Sequence, residues 1–150
     1  MKRPYVFLAV ALAVTASAVT VASAEPGTPS ARSASTATVQ LRHTSLGSII
    51  VSSSGRTLYE FTRDRANKNS CTAIKGCSQS WPSLKASGRP TAGSGVKASL
   101  LSTSGGQVTY AGHPLYLYSE DSGPGKTSYV GVKQFGGAWY ALNASGGAVK

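Results

Sequence analysis

Carboxylates, which most acid/base and metal chemistry requires, are scarce in this sequence of 150 residues. There are 5 Asp and Glu side chains against 15 Lys and Arg, a net charge of +10. Asp64 and Asp121 could form a catalytic pair, with Glu60 and Glu120 as further candidates, but a glycosidase-like pair must lie within about 10 Å. The simpler interpretation is that each aspartate fixes its own turn by accepting backbone amide hydrogen bonds. We therefore assign no catalytic residue.

His113, Trp81 and Trp139 are the side chains that could contact a ligand such as haem or copper. His113 stands at a turn before Pro114, which is more typical of a hydrogen-bonded corner than of a metal ligand. The chain's single methionine is Met1, so a second soft ligand for copper is lacking. We predict no cofactor and no metal site, and haem or copper handling remains an alternative.

Four basic side chains cluster after the first aromatic segment, with one acidic residue among them. They are Arg63, Arg65, Lys68 and Lys75. Outside the cell, this basic loop could bind an anionic wall polymer or lipid head groups; equally, it could be a solvated surface that aids solubility. We expect no specific nucleic-acid partner for an exported chain.

The first residues have the order of a secretory signal peptide. Lys2 and Arg3 precede an apolar run, and small residues lead to Ala24. We predict cleavage after Ala24 rather than a retained membrane anchor, because Thr and Ser dilute the second half of the run. No cysteine stands there to accept a lipid, so free secretion without a lipid anchor or transmembrane segment is expected. Without Lys2 and Arg3, the net charge is +8, from 13 basic and 5 acidic side chains.

Cys71 and Cys77 are the only cysteines, with five residues between them. In an exported chain, such a pair predicts a structural disulfide, which would hold the segment that leads to Trp81. Redox catalysis usually uses Cys-x-x-Cys spacing, and zinc would need two further ligands where only His43 and His113 are present.

Short apolar runs between Gly and Ser clusters predict strands rather than helices. The fold class is predicted to be all-β, with mostly antiparallel short strands and a minor helix. The predicted segments are a hairpin of 46–51 with 56–61, a hairpin of 96–101 with 107–110, strands at 113–118 and 138–142, and a helix over 77–81 that stops at Pro82. The predicted organisation is a signal peptide (1–24), a flexible leader (25–38), a tandem-repeat β-domain (39–142) and a flexible tail (143–150).

An internal repeat is the strongest signal in the sequence. A shift of 57 residues aligns 55–64 with 112–121, and Gly, Leu, Tyr and Asp coincide. We predict two pseudo-repeated sheet units that pack about a pseudo-twofold axis within one domain. Each aromatic pair alternates along a strand, so it either forms the core or lines an open groove.

These residues resemble a known family. The motif Tyr-x-(Phe/Trp/Tyr)-x-x-Asp occurs twice, together with the cysteine pair and a tryptophan after each copy. Its residues are Tyr59, Phe61 and Asp64 in the first copy and Tyr116, Tyr118 and Asp121 in the second. The chain resembles the bacterial secreted-repeat lipoprotein family with this motif over about 46–142, and the resemblance implies no particular activity because none is established for the family. Unlike lipoprotein members, the chain lacks the lipid-accepting cysteine.

We therefore predict a secreted, non-catalytic module that is associated with the cell envelope and binds an extracytoplasmic ligand. The alternative is an accessory of extracellular electron transfer or of haem and metal handling. An enzyme that uses Asp64 and Asp121 is the least favoured hypothesis.

Overall fold

Short antiparallel strands and tight turns make up most of the computed structural model, which describes residues 38–150. The predicted signal peptide and most of the predicted leader lie outside these residues. The strands are β1 (Val39–Thr44), β2 (Gly47–Ser52), β3 (Tyr59–Phe61), β4 (Leu101–Ser104), β5 (Gln107–Tyr110), β6 (His113–Pro114), β7 (Lys133–Gln134), β8 (Gly137–Leu142) and β9 (Ala148–Val149). One helix, α1 (Cys77–Ser80), and 3-10 turns at Cys71–Ala73 and Ala98–Leu100 complete the described elements.

The strands form three small sheets. β1 pairs with β2; β3, β8 and β7 form a second sheet in which β9 joins β8; and β4, β5 and β6 form a third. All these strand pairs are antiparallel. The predicted all-β fold with a minor helix is confirmed, and α1 ends just before Pro82 because proline cannot continue a helix.

The first predicted hairpin forms its turn but pairs only next to it, through the antiparallel Val51–Thr57 bridge. The amide of Ser52 donates to the Arg56 carbonyl at 2.8 Å, which closes the loop. β3 then leaves β2 and pairs with β8, while β1 pairs with β2 along its whole length. The reason is burial: all three residues of β3 are buried, so it takes a central place between other elements instead of an outer hairpin position.

The second predicted hairpin forms as β4 and β5, but its first strand runs over Leu101–Ser104 and not over 96–101, because Ala98–Leu100 form a 3-10 turn. A two-residue turn then leads into β6. Ala111 and Gly112 have φ values of 50° and 83° in this turn. Two successive residues with positive φ match the twist of a tight hairpin, which is why the connection is so short.

The predicted flexible tail is wrong in this structure. Ala148 and Val149 form β9 and pair with β8. The Asn143 side chain accepts hydrogen bonds from the Ser145 and Gly147 amides at 2.9 and 3.0 Å, which folds the chain back toward β8. Hydrogen bonds hold most of this polar, Gly-rich segment, and only Val149 packs against the apolar cluster of Ile49, Val51 and Ala141, so its composition hid the pairing.

The two repeated segments, 58–61 and 115–118, lie between two cores. Leu58 and Leu115 face a mostly aliphatic core, whereas the next residues, Tyr59 and Tyr116, face an aromatic core. Successive side chains of a strand point to opposite faces, so one Leu-Tyr step serves both cores. The aromatic core consists of Tyr59, Phe61, Cys71, Cys77, Trp81, Tyr116, Tyr118 and Trp139.

Candidate functional site

The two motif copies meet at their first tyrosines. The Tyr59 amide donates to the Tyr116 carbonyl and the Tyr116 amide donates to the Tyr59 carbonyl, both at 2.9 Å. These residues are equivalent under the 57-residue shift and pair in antiparallel fashion. An antiparallel pair of equivalent residues has a local twofold axis between its members, so the two copies are related about this bridge.

Each motif aspartate is bonded to the tyrosine of the other copy. The Tyr116 hydroxyl donates to Asp64 Oδ2 at 2.7 Å, and the Tyr59 hydroxyl donates to Asp121 Oδ2 at 3.2 Å. Asp64 also accepts the Ser70 amide at 2.7 Å, which fixes the following turn. The motif residues therefore hold the two repeats together through exchanged hydrogen bonds, and the turn-fixing role of Asp64 is present alongside.

Burial raises the pKa of the Asp64 and Asp121 carboxyls, although their hydrogen bonds act in the opposite direction. At Asp121 the charge of Arg56 also lowers the pKa. Burial likewise raises the pKa of the Tyr59 and Tyr116 hydroxyls, and the bonded aspartates add to the effect. The tyrosines thus keep their protons and act as donors, so each pair is a structural hydrogen bond at neutral pH.

Three aromatic rings stack through the centre of this region, and a fourth lies tilted by 40° on one end of the stack. The Trp81 and Trp139 rings lie 3.9 Å apart between centroids and 2° from parallel. Phe61 stacks on the outer face of Trp139 at 4.1 Å, and Tyr118 lies over Trp81 at 4.4 Å. Because Phe61 and Tyr118 occupy equivalent motif positions, the stack repeats the symmetry of the tyrosine bridge.

The bridging tyrosines meet the tryptophans edge-on. The centroid distance is 5.1 Å both for Tyr59 with Trp81 and for Tyr116 with Trp139. Edge-to-face contact places a ring's positive edge against a negative face, which stabilises such pairs beyond their burial. The symmetry ends at the indole nitrogens: Trp81 Nε1 donates to Gln134 Oε1 at 2.9 Å, whereas Trp139 Nε1 has no partner within residues 38–150.

Trp81 and Trp139 are fully buried, which corrects their assignment as ligand-contact residues. Each indole face is covered by the other tryptophan or by a motif ring, so no face is left for a ligand. The aromatic pairs form a core, as the simpler interpretation predicts, and not an open groove. Their alternation could not separate the two cases because it is the same for both.

His113 is the most accessible of the candidate ligand residues, with 41% of its side chain exposed. Its Nδ1 lies 2.5 Å from Oε2 of the buried Glu60, and this hydrogen bond is the main cause of the raised pKa of His113. A cleft of about 170 Å³ opens beside it, lined also by Asp64 and Arg65. His113 is thus a hydrogen-bonded corner next to a small cleft.

A family model described as a secreted repeat of unknown function matches residues 41–85 and again residues 101–143, more than half of the chain. The chain belongs to this family. The two matched segments agree with the two repeats predicted from the 57-residue shift. The family's description and the disulfide are both consistent with an extracellular location. No curated protein and no solved structure matches the chain.

The disulfide of this secreted repeat supports the basic loop. Cys71 and Cys77 are bonded, with their Cα atoms 5.4 Å apart, and both lie in the aromatic core. The loop's cations are all exposed: Arg63, Arg65, Lys68 and Lys75. Arg63 Nη1 donates to the Phe135 carbonyl at 3.0 Å, so this cation is tied to the turn between β7 and β8.

Within residues 38–150, no three His, Cys, Asp or Glu side chains come together as a metal-binding group. The same residues contain no helix with the length and apolar character needed to cross a membrane.

Sequence reasoning found the motif residues of the secreted repeat but missed their exchange between copies. The exchanged hydrogen bonds join residues 52 and 62 positions apart. The two copies look alike in sequence whether each tyrosine bonds its own aspartate or the other one. The equal spacing of Tyr and Asp in both copies was the only signal of a shared role.

Proposed function

We propose that this secreted repeat is a non-catalytic module that binds an anionic polymer of the cell envelope through its exposed basic side chains. The observation that carries the proposal is the unequal placement of its charges. Most acidic side chains are bonded to other side chains of the protein, whereas most basic side chains are exposed on the surface.

Three of the four described carboxylates have internal partners. Glu60 pairs with His113, and the two motif aspartates accept the exchanged tyrosine hydrogen bonds. Glu120 is the one exposed acidic side chain in residues 38–150. Eleven basic side chains are exposed over the same residues: Arg42, Arg63, Arg65, Lys68, Lys75, Lys85, Arg89, Lys97, Lys126, Lys133 and Lys150. The surface is thus more strongly cationic than the net charge alone indicates.

The basic loop supports the proposal because several contacts hold it in place. Asp64 accepts the Ser70 amide, the disulfide closes the next turn, and Arg63 is bonded to Phe135. A loop whose backbone is already ordered loses less conformational entropy on binding than a flexible loop does. Binding through such exposed charges depends on ionic strength, because salt screens them within about 10 Å at 0.1 M.

Retention on purified bacterial cell walls tests this function. In the variant R65Q/K68Q/K75Q, Arg63 is kept because its guanidinium contacts Phe135. Three surface ion pairs of about 0.5 kcal/mol each correspond to an increase of about tenfold in Kd. The matched control K97Q/K126Q/K133Q loses the same charge elsewhere on the surface and should change Kd less.

The wild-type protein should be released from the walls as salt is raised. Salt-insensitive retention, or an equal loss of binding in the control variant, would contradict binding through the basic loop. No retention of the wild-type protein at low salt would contradict the proposed function itself.

A further inference from the structure

A second basic region lies away from the motif residues, in a polar cleft of about 410 Å³. Its lining includes the cations Lys85 and Arg89 and the hydroxyls of Thr38, Ser53 and Ser87. No carboxylate and no aromatic ring contributes to the lining. We call it the connector cleft.

The connector cleft is built largely from residues that belong to neither repeat. The matched repeats end at residue 85 and begin again at residue 101, so Ser87, Gly88 and Arg89 come from the connector between them. The chain has only one such connector, and the pseudo-twofold axis therefore produces no second copy of this cleft. Its chemistry combines Ser87 and Arg89 of the connector with Ser53 and Lys85 of the first repeat, and it uses none of the motif residues.

Backbone hydrogen bonds hold the walls of the connector cleft. The Thr38 amide donates to the Thr91 carbonyl at 2.9 Å, and the Ala86 amide donates to the Gly106 carbonyl at 3.2 Å. These two bonds tie the connector to the start of β1 and to the turn between β4 and β5. Ser53, another lining residue, accepts a side-chain hydrogen bond at its carbonyl from Gln40 Nε2 at 3.4 Å. Between these points, the side chains of Lys85, Ser87 and Arg89 are exposed to solvent.

The lining chemistry selects a ligand that has both negative charge and hydroxyl groups. Lysine and arginine favour a phosphate, which arginine can bind through two parallel hydrogen bonds. Serine and threonine hydroxyls both donate and accept, so they suit polyol or sugar hydroxyls. The volume is within the usual range of about 300–1,000 Å³ for small-molecule sites. A cleft without aromatic rings offers no stacking surface for a nucleobase.

We propose that the connector cleft binds a polyol phosphate, the kind of unit from which a phosphodiester-linked envelope polymer is built. This inference rests on the proposed function and names the chemistry of the polymer unit that is recognised. Phosphate charge is held by Lys85 and Arg89, and the polyol hydroxyls bond to Thr38, Ser53 and Ser87.

NMR titration of the full chain with sorbitol 6-phosphate tests the inference, with sorbitol and inorganic phosphate as separate probes. The amide signals of Ser87 and Gly88 should shift, with a Kd at least tenfold lower for sorbitol 6-phosphate than for either other probe. The variant K85Q/R89Q should raise this Kd at least tenfold. The control K97Q/K133Q removes the same charge and should leave it within about twofold.

Equal affinity for inorganic phosphate and sorbitol 6-phosphate would overturn the inference, because the hydroxyls would then contribute nothing. Shifts that avoid the connector, or equal weakening in K97Q/K133Q, would overturn it as well. These outcomes leave wall binding through the basic loop intact if R65Q/K68Q/K75Q still shows its defect. Wall retention that fails in the wild-type protein overturns the proposed function instead, whatever the titration shows.

The same phosphate chemistry also occurs in the head group of phosphatidylglycerol. Co-sedimentation with phosphatidylglycerol vesicles and with purified walls distinguishes the two sources. Retention on walls that K85Q/R89Q weakens supports the polymer as the source. Retention on vesicles alone, weakened by the same variant, supports the cleft but contradicts the wall polymer as its ligand.

Discussion

The exchanged tyrosine–aspartate hydrogen bonds should couple residues of different repeats energetically. Tyr116 and Asp64 are joined by a bond of 2.7 Å in a partly buried setting. A hydrogen bond to a charged group contributes about 1.5–3 kcal/mol. In a double-mutant cycle of Tyr116→Phe and Asp64→Ala, we therefore expect a coupling free energy of about 1.5 kcal/mol or more. The cycle is needed because Asp64→Ala alone also removes the contact of Asp64 with the Ser70 amide.

The second exchanged pair gives an internal comparison. Tyr59 and Asp121 are 3.2 Å apart, a longer and weaker bond, and its coupling is expected to be smaller, about 0.5–1.5 kcal/mol. The matched control is the pair Tyr59 and Asp64, which belongs to one motif copy and whose side chains are each bonded to the other copy instead of to one another. Its two substitutions should add to within about 0.5 kcal/mol, as expected for residues without a shared contact.

Urea unfolding followed by tryptophan fluorescence measures these values, because Trp81 and Trp139 lie in the core beside both pairs. A coupling of 1.4 kcal/mol corresponds to about a tenfold change in the unfolding equilibrium. Additivity of Tyr116→Phe with Asp64→Ala to within about 0.3 kcal/mol would refute the exchanged arrangement, as would a larger coupling in the control pair.

Two further predictions concern the His113–Glu60 pair and the Cys71–Cys77 disulfide. The raised pKa of His113 means that its pairing with Glu60 stabilises the fold fully below about pH 6.5, and that this contribution is lost as pH rises through the raised value. Asp64 adds to the negative charge that faces the imidazole, and Arg65 lines the same cleft. Because His113→Gln removes the titrating group, the free energy of unfolding of this variant should change less between about pH 6 and 8 than that of the wild type. The His43→Gln control should retain the wild-type pH dependence. The variant C71A/C77A should lower the free energy of unfolding by about 2 kcal/mol on the chain-entropy estimate; an unchanged urea midpoint would show that the aromatic core alone holds this segment.

The fold class and the repeat could be predicted because both depend on local patterns. Turn residues such as Gly105 and Gly106 mark where β4 returns as β5, and Pro82 marks the end of α1. The 57-residue shift compares residue types directly and needs no knowledge of contacts. These features follow from backbone preferences that operate within a few residues.

The rest depended on contacts between distant segments. β3 pairs with β8 because its residues are buried on both faces, which its short sequence does not reveal. The tail pairs through backbone groups that every residue type carries, so β9 had no sequence signature. The connector cleft combines Thr38, Ser53 and Arg89, three residues without a common pattern.

The Tyr59–Tyr116 bridge has a consequence for the number of repeats that such a chain can contain. Each copy supplies the strand partner, the hydroxyl donor and the stacked indole that the other copy needs. The two copies in one chain therefore pair with each other as the two subunits of a symmetric dimer do. A protein with a single copy would have to associate with a second molecule, and tandem arrays should carry an even number of copies, because an odd one leaves an aspartate and a tryptophan face uncovered.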